Sequence, residues 1–138
     1  MARILSIDYG KKRTGVAVTD PLQIIANGLA TVATSELMSY LKNYVSHEEV
    51  EQVVIGEPRQ PNGQPSENLQ RVKQFVARWK KEMPQIPIVL FDERYTSVLA
   101  HQAMLDGGLK KKARQNKELV DEISATIILQ DYMQAKRR

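Results

Sequence analysis

The stretch Arg3-Ile4-Leu5-Ser6-Ile7-Asp8 passes through Tyr9-Gly10-Lys11-Lys12-Arg13 into Thr14-Gly15-Val16-Ala17-Val18-Thr19. Both ends are short, apolar and β-prone, and Tyr9-Gly10 between them is a turn signal. So short a connection implies an antiparallel hairpin. Asp20-Pro21 stops the second strand, and Gly28 to Ala33 reads as a third. An acid, Asp8, therefore stands at the carboxyl end of the first strand. Three cations, Lys11, Lys12 and Arg13, occupy the loop beside it.

Further along, Ser35-Glu36 reads as a helix cap with an acid in the first turn. Leu37, Leu41, Tyr44 and Val45 follow at helical spacing. Gln52-Val53-Val54-Ile55 is a continuous apolar strand closed by Gly56-Glu57-Pro58, and Pro61-Asn62-Gly63 is a loop. A long helix is expected from Ser66 to about Met83, with Leu69, Val72, Val76, Trp79 and Met83 on one apolar face. Trp79 reads as core. Ile86 to Phe91 is another buried strand, ending at Asp92-Glu93-Arg94. Thr96 caps a predicted helix that Gly107-Gly108 stops. A last helix covers about Glu118 to Tyr132. The order β-β-β-α-β-α-β-α-α argues for an α/β protein, residues 1–138 forming one domain built on a mixed five-stranded sheet covered by helices.

The bulk numbers bound the function. The chain has 138 residues, 42% hydrophobic and 26% charged, as ordinary globular proteins do. It has no cysteine, which excludes a disulfide framework, thiolate zinc sites and a cysteine nucleophile. No apolar run approaches the roughly 20 residues of a membrane helix. Asp8 breaks any secretory apolar region, so the expected location is the cytoplasm and no membrane is involved. The formal charge of +4 says less than its distribution. Lys110, Lys111, Lys112, Arg114 and Lys117 cluster before the last helix, a pattern suited to phosphates. Lys136-Arg137-Arg138 reads as a solvated tail.

The acids form the informative pattern. Asp8, Glu57, Asp92 and Glu93 all fall at the carboxyl ends of strands, where ligands of open α/β sheets gather. Asp121 joins from a helix. Counting by three and four from it gives Ser124, Ala125, Ile128, Leu129 and Tyr132, a face that turns apolar and, through its small residues, can approach the sheet closely. Two readings of Asp121 stand side by side. An acid entering a buried face needs a partner or a metal, and an acid in a first helical turn also gains from the helix dipole. A carboxylate cluster of this kind suits phosphodiester cleavage. Two hard cations about 4 Å apart activate a water and neutralise the leaving oxygen. Carboxylates without cysteine or paired histidine favour Mg²⁺ or Mn²⁺ over Zn²⁺. His47 and His101 stand alone on predicted helices. No Ser-His-Asp pattern and no Walker-type phosphate loop is present.

Together these residues resemble the bacterial YqgF family of Holliday junction resolvase-like proteins. Asp8 to Asp20 looks like its opening motif, and Gly56-Glu57-Pro58 matches its fourth-strand motif in part. Asp92-Glu93-Arg94-Tyr95-Thr96-Ser97 and Val120-Asp121-Glu122-Ile123-Ser124-Ala125 look like its second and third signatures. The likeness covers essentially the whole chain, with the motifs in order. It implies a ribonuclease H-like fold with helices on both faces of the sheet. It also implies a cytoplasmic metal-dependent nuclease that matures the 5′ end of pre-16S rRNA, with branched DNA as the alternative substrate. By the same resemblance Asp8, Glu93 and Asp121 are the metal-binding and catalytic acids. Asp92 should point to the other side of its strand and pair with Arg94. Glu57 departs from the family, which usually has an apolar residue there. Related resolvases carry an acid on that strand, so Glu57 is either a further ligand or a solvated acid before Pro58. Lys11, Lys12, Arg13, Arg94, Lys110, Lys111, Lys112 and Arg114 would then hold nucleic-acid phosphates, which gives salt-dependent binding without sequence choice.

Two other classes fit parts of the pattern. A non-catalytic nucleic-acid-binding protein would use the same basic loops, with the acids structural. The Asp8-Tyr9-Gly10 hairpin is also similar to the phosphate-binding hairpin of actin-like ATPases, but those need two such domains, and this chain is too short. Both a monomer and a homodimer are compatible with the sequence; a branched-DNA substrate would favour a dimer by symmetry.

Overall fold

A computed structural model describes residues 2–58, 67–92 and 117–137, with side chains throughout except at 92, 117–121 and 137. Five strands and three α-helices fall in these residues. They are β1 (Arg3–Asp8), β2 (Arg13–Thr19), β3 (Ala26–Ala33), α1 (Leu37–His47), β4 (Val50–Glu57), α2 (Glu67–Glu82), β5 (Ile88–Asp92) and α3 (Lys117–Arg137). The expected helix between Thr96 and Gly107 lies outside the described residues.

The five strands form one sheet in the order β3-β2-β1-β4-β5. β1 pairs antiparallel with β2, and β2 antiparallel with β3, so the opening hairpin is as expected. β4 lies parallel to β1, and β5 parallel to β4. The sheet is therefore mixed, and β1 sits at its centre, where both neighbours satisfy its backbone.

Side-chain alternation sorts this sheet into two cores. On one face Leu5, Ile7, Val16, Val53 and Ile55 pack against Leu37 and Leu41 of α1 and Val72, Phe75 and Trp79 of α2. Trp79 is fully buried, and its indole nitrogen donates to the Ile86 carbonyl at 2.9 Å. On the other face Ile4, Ala17, Ala26 and Val54 pack against Ala125, Ile128, Leu129 and Met133 of α3. Helices thus cover both faces. Tyr132 joins the second core edge-on to Phe91, with ring centroids 5.7 Å apart.

Three local expectations are corrected. β3 begins at Ala26 rather than Gly28. The cause is Asp20, whose Oδ1 accepts from the Ile24 and Ile25 amides at 2.8 Å each and closes the loop early. Ser35 does not cap α1: Thr34–Glu36 form a single 3₁₀ turn, and neither that turn nor α1 has a side-chain cap bond. Thr34 is the residue put to use, donating its hydroxyl to the Gly10 carbonyl at 2.7 Å. α3 runs past Tyr132 to Arg137, because Met133 is buried and lines one cavity with Ile4, Gln23 and Lys136.

Candidate active site

Asp8 is the last residue of β1 and is half-buried. Its face of the sheet follows from its neighbours. Ile4 belongs to the α3 core, and the Ser6 hydroxyl donates to the Ala125 carbonyl in α3 at 2.7 Å. Alternation carries Asp8 to that same face. The residues beside it are both glycines. Gly15 is its direct partner on β2, and Gly56 stands one step beyond the Ile7–Ile55 pair on β4. No side chain from either neighbouring strand crowds the carboxylate, a feature the sequence reading missed.

The bond from Ser6 to Ala125 also orients α3. Ile4 and Met133 share a cavity at one end, so α3 runs antiparallel to β1. From Ser6 to Asp8 the strand advances about 7 Å. From Ala125 back to position 121 the helix advances about 6 Å in the same direction. Position 121 stands one helical turn before Ala125, toward the end of α3 nearer the carboxyl edge of the sheet. Gly28 of β3 helps seat the helix: a Cβ there would stand 3.5 Å from the Glu122 Cβ and the Thr126 hydroxyl.

Glu57 and Asp92 are register partners at the ends of β4 and β5, on the same edge. Glu57 follows Val53 and Ile55 in the pleat, so it belongs to the α1–α2 face, opposite Asp8. Glu93 and Arg94 lie outside the described residues, as do Lys110, Lys111, Lys112, Arg114 and His101. His47 ends α1, exposed, with Nδ1 2.9 Å from the Asn43 carbonyl. Among the residues whose side chains are described, no three acids or histidines gather; Asp8 is the described member of the expected set.

The loop after Asp8 is tightly held. Asn68 at the start of α2 donates to the Tyr9 carbonyl at 2.6 Å. The Tyr9 ring packs on Phe75 with centroids 5.5 Å apart. Thr34 touches Thr14 hydroxyl to hydroxyl at 2.8 Å, and its amide donates to the Lys12 carbonyl at 3.0 Å. A Cβ on Gly10 would collide with the Arg13 carbonyl oxygen. Lys11, Lys12 and Arg13 are therefore presented, exposed, by a fixed loop at the Asp8 end of the sheet. The arrangement offers a carboxylate flanked by glycines on both neighbouring strands, a facing helix and a positive rim, which suits a polyanion brought to oxygen-bound cations.

A central strand ending in an acid, flanked by antiparallel and parallel neighbours and crossed by a helix, is the arrangement of the ribonuclease H-like fold. The chain belongs to the family described as "RuvX: Holliday junction resolvase", which matches residues 2–135. It is 64% identical over 137 residues to a "Putative pre-16S rRNA nuclease" of Phocaeicola vulgatus, covering 99% of each. Proteins given the same description are 59% identical in Bacteroides fragilis and 58% in Flavobacterium johnsoniae, again covering 99% of each chain. Among solved structures it resembles "T. thermophilus RuvC in complex with Holliday junction substrate". The TM-score is 0.59 at 15% identity, over 99% of this chain and 96% of that one. It also resembles the fowlpox virus resolvase bound to Holliday junction DNA, with a TM-score of 0.54 at 11% identity, covering 99% of both chains. At those identities the likeness establishes the fold.

Proposed function

We propose that this chain, acting as one domain in the cytoplasm, hydrolyses phosphodiester bonds of precursor 16S ribosomal RNA near its 5′ end. Asp8, Glu93 and Asp121 are its metal-binding acids, and Mg²⁺ or Mn²⁺ is the metal. One observation supports the reading: the Ser6–Ala125 bond, with Met133 beside Ile4 further along, seats α3 antiparallel on β1, which would bring positions 8 and 121 level on one sheet face. The donor chemistry fits hard cations, because Asp8 offers oxygen and glycines on both neighbouring strands leave it room. Bound there, such ions supply an activated water and neutralise the leaving oxygen. Asp8 holds its carboxylate on the α3 face. Lys11, Lys12 and Arg13 draw the phosphate backbone toward it, with Lys110, Lys111, Lys112, Arg114 and Arg94 extending that surface. Glu57, on the opposite face, is outside this ligand set, and Asp92 serves as its strand-end neighbour.

The relatives at 58–64% identity favour RNA, while the family description favours branched DNA. Both substrates therefore belong in the test. A labelled transcript spanning the 16S 5′ boundary and a four-way DNA junction are incubated with the purified chain, Mn²⁺ or Mg²⁺, and chelator controls. RNA cleavage that needs the metal and falls at least about a hundredfold in Asp8→Asn is expected, the scale of losing a group that acts on the transition state. Equal cleavage by the variant, or cleavage surviving chelation, defeats the assignment. Faster cutting of the junction would move the natural substrate to DNA.

A further inference from the structure

Asn68 presents an anomaly beside the candidate site. Its amide nitrogen donates to the Tyr9 carbonyl at 2.6 Å, across 59 residues of sequence. Its Oδ1 is buried and has no hydrogen-bond partner among the described residues. The usual ambiguity of an amide's orientation does not arise here, because only the nitrogen can face a carbonyl. A buried acceptor left unmet costs about 1–3 kcal/mol, more than a neutral hydrogen bond returns. For stability alone, an apolar residue of the same shape would be roughly neutral, since it removes the orphaned oxygen but leaves the part-buried Tyr9 carbonyl without its donor.

What the bond does achieve is positional. Tyr9 directly follows Asp8, and α2 grips it twice, at its ring through Phe75 and at its carbonyl through Asn68. The next peptide is fixed from the other side by Thr34 on the Gly10 carbonyl. The exit of β1 is thus clamped between α2 and the end of β3, and its direction sets where the Asp8 carboxylate stands. We propose that Asn68 is a positioning residue, fixing the backbone after Asp8 at the expense of its own unmet acceptor. The inference rests on the nuclease reading above, and it makes a demand that a purely structural role would not: position and stability should separate.

Asn68→Leu keeps the shape while removing both the donor and the orphaned oxygen. The gain from removing the orphaned oxygen and the loss at the Tyr9 carbonyl roughly offset, so the full-length variant is expected to melt within about 3 °C of the wild type. Amide exchange over residues 9–13 should quicken about tenfold, as befits a loosened local segment. The turnover number on the RNA transcript should fall about tenfold with KM within about twofold, since sub-ångström misplacement of a reacting group acts on turnover. Unchanged exchange overturns the proposal. So does a melting temperature that drops in step with activity, which would make Asn68 simply structural. Asn68→Ser, too short to reach Tyr9, carries the same expectations for exchange and turnover should the leucine variant fail to fold, with a somewhat lower melting temperature from the lost volume. The exchange measurement needs neither metal nor substrate. A wild-type chain that cleaves nothing would therefore sink the nuclease reading without blurring this one.

Discussion

Replacing Ser6 tests the seating of α3 on the sheet, on which the candidate site depends. The Ser6 side chain is fully buried, and its hydroxyl lies 2.7 Å from the Ala125 carbonyl. In Ser6→Ala one buried neutral hydrogen bond is lost, worth about 1 kcal/mol. The Ala125 carbonyl keeps its intrahelical partner, so no further penalty follows. For 138 residues the entropy of unfolding is roughly 290 cal/mol/K, so the melting temperature should fall about 3 °C. Packing of Ala125, Ile128 and Leu129 still holds the helix, and cleavage should stay within about threefold of wild type. Ser6→Val differs in kind. A methyl carbon needs about 3.3–3.6 Å from a carbonyl oxygen, so α3 must retreat by roughly 0.6–0.9 Å, at about 1–3 kcal/mol of strain. Position 121 retreats from Asp8 by the same amount. Catalytic constellations tolerate about 0.5 Å, and a 1 Å error costs up to about a hundredfold. Thermal melts and metal-dependent cleavage of the same preparations provide the comparison: a small loss of stability with activity kept in Ser6→Ala, and a large loss of activity in Ser6→Val. A valine variant with wild-type melting and wild-type rate would show that the helix does not rest on this residue and that Ser6 does not hold position 121 near Asp8.

Two glycines should respond oppositely to alanine. Gly28→Ala adds a methyl at ordinary contact distance from α3 and should be neutral or raise stability by up to about 1 kcal/mol, whereas Gly10→Ala drives a Cβ into the Arg13 carbonyl and should cost about 1–3 kcal/mol in denaturant titrations. Asp20 supplies a pH dependence. Backbone amide bonds, that of Ile25 foremost, hold its carboxyl below the ordinary 3.8. A depressed carboxyl adds stability that is fully present above the unfolded value and is lost as pH falls through the folded one. The melting-temperature advantage of wild type over Asp20→Asn should therefore be constant at pH 5–7 and shrink below about pH 3.8. An advantage that grows on acidification would contradict the loop-closing role.

The sequence was most readable where local chemistry decides structure. The β1–β2 hairpin follows from two apolar runs and one turn, and α2 from its apolar stripe, observed over Glu67–Glu82. What local patterns could not supply were bonds made across the chain. Ser35 looks like the cap, and only the folded chain brings the Gly10 carbonyl to its neighbour Thr34. Asp20 looks like a strand breaker, but its carboxylate also organises the next five residues. Glu57 shows the same limit at the candidate site. Its place at a strand end was legible, but its face depends on which core takes Ile55, and that is settled only by α1 and α2 packing there.

The glycines beside Asp8 show how such a limit can be read in reverse. A glycine within a strand costs about 0.5–1 kcal/mol relative to alanine. Here two of them, Gly15 and Gly56, lie on the central strand's two neighbours, in the most constrained part of the sheet. Neither is needed for a turn. On β2 the next residue on that face is Ala17, and on β4 it is Val54, both buried under α3. Side chains are thus welcome on this face until the level of Asp8, where they stop on both sides. A directly opposed Cβ would stand about 4.5–5.5 Å from that of Asp8, so the two glycines leave the strand-end carboxylate without a side chain on either flank. Local preference gives way at this one level of the sheet, as it commonly does where a fold keeps room for chemistry.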